Sequence, residues 1–234
     1  MLLKFSPPNK KLKKIPTNKR VYSMSIPSGY SCPQALDCLS KADPLTGKVT
    51  DGKYMLHRCY STSNESSYPA VRKQRHYNFE LLRQEKEFET MYSLINESLP
   101  HKAELVRIHV GGDFYNQMYF DSWLHVARTN PGVLFYAYTK SIPFWITALN
   151  YNNIPDNMRL TASRGGRSDY LIDLYGLKTA EVVYTEAEAR EKNLEIDTDE
   201  SHAIWGDKSF ALLIHGTQPK GFYKKIKQLE LVNV

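Results

Sequence analysis

The chain is poor in cysteine, with three in 234 residues, and none of its apolar runs approaches the ~18 residues that a membrane span requires. Its first twenty residues contain no acid at all. Each scarcity excludes something. Three is an odd number, and Cys32, Cys38 and Cys59 lie within 28 residues of chain, which is not a disulfide framework. Without a long apolar segment no membrane partner is expected. The opening MLLKFSPPNKK is too short in apolar residues for a secretory signal, so a reducing cytoplasm is the expected compartment. Thiols gathered there read as metal ligands or catalytic groups, or else as small buried apolar side chains.

The acid-free start accounts for the net charge of +6. Lys4, Lys10, Lys11, Lys13, Lys14, Lys19 and Arg20 contribute +7, and the rest of the chain sums to −1. The body is therefore not a basic nucleic-acid surface. Residues 1–20 are expected to be a flexible basic arm, either solvated or touching the phosphates of a nucleic acid or an acidic partner. With 41% hydrophobic and 24% charged residues, the remainder, 21–234, is expected to form one globular domain.

Past the arm, RVYSMSI (20–26) has the look of a strand ended by Pro27 and Ser28-Gly29. Residues 29–67, rich in Cys, Gly, Pro, Ser and Asp, read as a long functional loop with a turn of helix near 34–39, which a bound metal centre would order. Apolar residues at helical spacing from Val71 to Ile95, with Pro69 ahead of them, predict one long helix up to Pro100. Strands then alternate with helices. The strands are expected at 105–110, 133–138, 158–163, 180–185 and 210–215, and the helices at 116–129, 142–150, 168–176 and 186–193. A basic amphipathic element is expected from Gly221. Such alternation implies parallel pairing through right-handed crossovers.

Within the strands one face is apolar and the other polar: Val106, Ile108 and Val110 oppose Arg107, His109 and Gly111, while Leu160 and Ala162 oppose Arg159, Thr161 and Ser163. A parallel strand covered by helices on both faces is apolar throughout. The predicted fold is therefore α/β, an incomplete (β/α)6 barrel with mainly parallel strands and an N-terminal cysteine-bearing loop, helices outside and a wet cavity inside.

In such barrels the working groups lie in the loops after the strands. Here those loops hold the three cysteines, then Gly111-Gly112-Asp113, Thr139-Lys140-Ser141, Ser163-Arg164-Gly165-Gly166-Arg167 and His215-Gly216-Thr217. Zinc sites generally use paired C-x2–4-C knuckles and four ligands. The cysteine spacing here is wider, and His57 is the nearby fourth candidate. Three thiolates suit a cubane iron–sulfur cluster with one iron left open; iron–sulfur, zinc and no metal all stand as readings. Gly111 and Gly112 either supply a strand-to-helix turn capped by Asp113, or let a ligand approach while Asp113 accepts from its ammonium group. Ser163, Arg164 and Arg167 either form a salt-bridged loop or receive a carboxylate or phosphate. His109, Lys140, His202 and His215 are the candidate catalytic side chains, with lone core histidines the plainer alternative.

Two resemblances follow from these features. The cysteine loop after the first strand and the Gly-Gly-acid motif after the second resemble the radical S-adenosylmethionine superfamily. That resemblance implies a [4Fe-4S] cluster on Cys32, Cys38 and Cys59 and a cofactor clamp at Gly111, Gly112 and Asp113, although the tight C-x3-C-x2-C of that superfamily is absent. The segments IPSGYSCPQALDCLSKAD, YPAVRKQRHYNFELLR, RIHVGGDFY, LTASRGGRSDYLI and HGTQPKG resemble the phage-encoded "gene product eighty-eight" family over residues 25–221. This implies a phage origin, hence the host cytoplasm, and names no substrate. The expected partner is an unidentified small molecule or host macromolecule.

Overall fold

The fold is described for residues 1–224 in a computed structural model. After a 3-10 turn at Leu12–Lys14 the chain forms β1 (Val21–Met24), β2 (Ser40–Ala42), β3 (Val49–Asp51), α1 (Tyr60–Ser67), α2 (Pro69–Gln84) and α3 (Phe88–Ser98). It then alternates through β4 (Leu105–Ile108), α4 (Gln117–Thr129), β5 (Leu134–Thr139), α5 (Ile142–Asn150), β6 (Met158–Ser163) and α6 (Asp169–Tyr175). The last described elements are β7 (Thr179–Val183), α7 (Glu186–Glu191), α8 (Ser201–Ile204) and β8 (Phe210–Leu213). The basic element expected from Gly221 lies outside the described residues beyond Lys224.

Six strands make one sheet in the order β1-β4-β5-β6-β7-β8, and every neighbouring pair is parallel. Strand order that follows chain order without reversal sends each right-handed crossover to the same face. The packing agrees: Met24, Val106, Ile108, Phe135, Leu160 and Ala162 share one core with residues of α2 to α6, including Leu82, Ile95, Trp123 and Ile146. The opposite face carries Val21, Leu105, Tyr136, Ala180 and Phe210 in a separate, smaller cluster. The described strands form an open sheet with β1 and β8 at its edges; they do not close, and the expected barrel is met as far as a parallel, chain-ordered sheet.

That smaller cluster is completed by Leu12 and Ile15, which are buried. The segment expected to be a free arm is docked. Ser6 forms an antiparallel bridge with Ser23, and Leu3 is buried in the helix-side core. The lysines dominate the composition of this stretch, but its few apolar residues decide its placement, because the sheet face opposite the helices would otherwise lie open to water.

Two other expectations are corrected. The long helix is broken between Gln84 and Phe88, with Glu85 and Glu87 extended. In Arg83-Gln84-Glu85-Lys86-Glu87 no apolar side chain continues the stripe of Phe79 and Leu82, so nothing holds a further turn against the sheet. The cysteine loop is not irregular either. It contains the antiparallel β2–β3 hairpin and α1, while residues 34–39 form turns instead of helix. The hairpin turn is made by Asp43, whose Oδ1 accepts from the amides of Leu45 (3.1 Å) and Thr46 (2.7 Å). A buried ion pair between Arg75 and Glu65 (2.6 Å), with Ser28 donating to the same carboxylate, anchors α1 to the chain leaving β1. The loop is thus ordered by its own secondary structure.

Candidate functional site

A cavity of about 170 Å³ opens at the carboxyl ends of the strands and is lined by all three cysteines. Cys32 follows β1, and its sulfur accepts from the Gly29 amide at 3.3 Å. Cys38 sits in a turn stitched to the loop after β6: Leu36 and Asp37 both donate to the Gly165 carbonyl, at 3.2 and 3.0 Å. Cys59 is the N-cap residue of α1. Its pKa is lowered, first by a hydrogen bond from Cys38 and then by the Thr62 and Ser61 amides at the helix start, which outweigh burial. Cys38, the donor of that bond, is pushed up, as is Cys32 by burial and by Asp113. Cys59 is therefore the most readily ionised of the three thiols.

The site is closed from far along the chain. The Gln218 side chain clasps the backbone of Arg58, accepting from its amide at 2.7 Å and donating to its carbonyl at 2.9 Å. His57, also on the cavity wall, is held neutral by burial, its pKa lowered to about 4, and its Nδ1 has no partner. Among the described residues no group of three or more His, Cys, Asp or Glu side chains is arranged to hold a single metal ion. A cubane, in which separate irons take separate thiolates, does not need its ligands at one point. Three free thiols border one cavity, Cys59 disposed to ionise and Cys32 and Cys38 disposed to keep their protons.

The other sequence candidates divide. Gly111, Gly112, Asp113, Ser163, His109, Lys140 and His215 line the cavity. The glycines, however, are required by the protein's own packing. A Cβ at Gly111 would lie 2.2 Å from Ser61 Oγ, and one at Gly112, where φ is +88°, 2.5 Å from the Ile26 side chain. Asp113 is occupied as well. Its Oδ1 accepts from Phe114 N (2.7 Å) and Thr139 Oγ1 (2.6 Å), and its Oδ2 accepts from Lys140 N (2.8 Å). The carboxylate expected to meet a ligand's ammonium thus ties the loops after β4 and β5 together. Burial still raises its pKa to about 6. Lys140 Nζ donates to Ser163 Oγ (3.0 Å) and to the Arg164 carbonyl.

His109 has φ +66°, which reverses the alternation, so Val110 joins the cavity side instead of continuing the face of Ile108. Its ring lies 2.9 Å from the Tyr119 hydroxyl, and burial followed by Arg107 lowers its pKa to about 3. His215 stacks on Tyr60, with centroids 4.5 Å apart.

Arg164, Arg167 and His202 are not brought to the cavity. Arg164 pairs with Asp173, and the Gly165 and Gly166 amides are taken by the Asp169 carboxylate at 2.8 and 2.9 Å. The anion site expected there is filled from within the chain. Arg167 is exposed, and His202 lies against Glu195 at 2.9 Å in a separate surface groove.

Other cavity residues escaped the motif reading. Arg107, buried, donates to Glu200 at 2.6 Å, and Lys11 from the docked arm reaches the same Oε1 at 2.7 Å. Strand alternation places Arg107 on the cavity face. Nothing in the local sequence marks Glu200, which has φ +69° and no exposure, or Lys11 as its partners.

A family model described as Gene product 88 matches residues 1–232. The chain belongs to the Gene product 88 family. Among curated proteins, "Gene 88 protein" of Mycobacterium phage L5 is 33% identical over 129 residues, a match covering 50% of this chain and 47% of that protein. The chain thus matches about half the length of this curated relative, which supports a bacteriophage origin. No solved structure matches. No helix of the described residues is long and apolar enough to cross a membrane.

Proposed function

We propose that this Gene product 88 protein carries a [4Fe-4S] cluster on Cys32, Cys38 and Cys59 at the mouth of an incomplete β/α barrel, as a relative in architecture of the radical S-adenosylmethionine enzymes. The observation that carries the reading is the convergence of the chain's three cysteines on one cavity at the carboxyl ends of a parallel sheet. Curvature of that sheet is supported by the lining itself: Cys32, following edge strand β1, and His215, following edge strand β8, border the same space. When bound, such a cluster would supply an electron and, at an iron without a protein ligand, a coordination position for S-adenosylmethionine. The chain's own contribution would be to order the thiolates through α1 and the Gly165 stitch, and to keep water out through the Gln218 clasp.

One observation favours a second reading, a cluster-bearing protein that binds a host component without cleaving the cofactor. Asp113, the carboxylate that would meet the ammonium group of S-adenosylmethionine, is already satisfied internally. Anaerobic reconstitution separates these readings. Iron and sulfide in equal amounts are expected, with colour that bleaches in air and is lost in Cys32→Ala, Cys38→Ala and Cys59→Ala. Colourless protein holding stoichiometric zinc would overturn the iron assignment. Calorimetry with S-adenosylmethionine on the reconstituted protein then decides between enzyme and binding protein.

A further inference from the structure

Below the cysteines the cavity wall carries Arg107 and Lys11. Buried Arg107 and half-buried Lys11 both pair with Glu200, and the buried Asp197 carboxylate lies close enough to feel Lys11 and Glu200. Arg58, higher on the wall, is neutralised by a two-pronged pair with Asp51, at 2.9 and 2.6 Å. Lys140 is held by neutral oxygens of Ser163 and Arg164.

Unfilled hydrogen bonds lie at the same place. Arg107 is 7% exposed, yet its Nε has no partner, and neither do the hydroxyls of Tyr136 and Tyr138 or the second oxygen, Oε2, of Glu200. The guanidinium lies 4.9 Å from the centroid of the Tyr138 ring. Orphaned buried donors gathered beside a cavity point to a water or ligand that completes them. The opposite wall is apolar, formed by Val110, Val182, Leu212 and Ile214.

We propose that the floor is a subsite for a small organic carboxylate, its acid group received by Arg107 with Lys11 and the Tyr138 hydroxyl beside it, and its apolar body lying against β7 and β8. A carboxylate suits the site better than phosphate. Its donors are one planar guanidinium, an ammonium and hydroxyls, and the first two already serve the carboxylate of Glu200. The amide nest that would favour phosphate, at Gly165-Gly166, is filled by Asp169. The inference rests on the reading of this cavity as the working site, and it names the class of molecule held beneath the cluster.

The test uses the full-length protein as purified, with iron and sulfide measured on the same sample. Benzoate and hexanoate are titrated by ligand-observed NMR against benzamide, hexanamide and inorganic phosphate. Both acids are expected to bind, with the amides at least about tenfold weaker. Arg107→Lys, which keeps a cation for Glu200, is expected to lose about tenfold in acid binding. Should that variant fail to fold, Tyr138→Phe decides, with weaker acid binding expected at an unchanged melting temperature. Amides binding as tightly as acids, preference for phosphate, absence of binding to folded protein, or acid binding unaltered in the folded variant would each overturn the proposal. Acid binding by protein that takes up no iron on anaerobic reconstitution would remove the cluster reading alone, and iron with no acid binding would remove this one alone.

Discussion

His109 is a buried imidazole that cannot take a proton without losing its place. Its folded pKa is lowered to about 3, against ~6.5 for a free histidine. Between those values the unfolded chain binds a proton that the folded chain refuses, so folding stability falls as pH drops from ~6.5 towards 3, with a slope approaching ~1.4 kcal/mol per pH unit. Asp113 acts in the opposite sense. Its folded pKa of about 6 exceeds the unfolded ~3.9, so the folded state holds the extra proton and gains stability as pH falls from ~6 to ~4. Asparagine tolerates the positive φ at position 109, so His109→Asn isolates the histidine. Urea midpoints between pH 7 and 4 are expected to fall less steeply in the variant than in the parent; parallel curves would show that His109 is protonated in the folded chain.

The docked arm changes what the N-terminal element does. Leu3, Leu12 and Ile15 are each at most 5% exposed, and full burial of such side chains contributes ~1.5–3 kcal/mol apiece. Their total is comparable to the ~5–15 kcal/mol that holds a typical domain together. Removing residues 1–16 would also leave Arg107 as the remaining charged partner of Glu200. The truncated chain is expected to melt far below the full chain, or to lose cooperative unfolding, when followed by circular dichroism. An unchanged melting curve would restore the flexible arm that the composition suggested. Lys10, Lys13, Lys14 and Lys19 remain exposed, so a basic stripe survives docking.

For the molecule as a whole, the sheet was legible because strand alternation is a local signal. The expected strand at 158–163 coincides with β6, and the split between Val106 and Arg107 is the split between helix-side core and cavity. The convergence of cysteines and Gly-Gly-Asp at the strand ends followed from topology in the same way. Pairings between distant residues were not legible. Lys11 with Glu200 and Asp113 with Thr139 are bonds whose partners carry no mark in the sequence. The two glycines illustrate the limit: the motif pointed to a ligand's approach, whereas the first atoms a Cβ would meet belong to Ser61 and Ile26.

The clasp between Gln218 and Arg58 spans 160 residues, and this separation has a consequence for timing. A contact so distant costs loop entropy that is recovered only when the intervening units are in place, so it belongs among the last to form. On a ribosome adding ~5–20 residues per second, roughly 8–30 s separate the appearance of one partner from the other. Throughout that interval the thiol at position 59 is covered by an incomplete wall. Chains stalled before residue 218 are expected to be alkylated at Cys59 much faster than the released protein, as a pulse of iodoacetamide followed by mass spectrometry would register. Equal rates would mean that the wall closes without the clasp. The nascent chain thus has a window in which the Cys59 sulfur is open to the surroundings, and that window shuts once Gln218 has emerged and met Arg58.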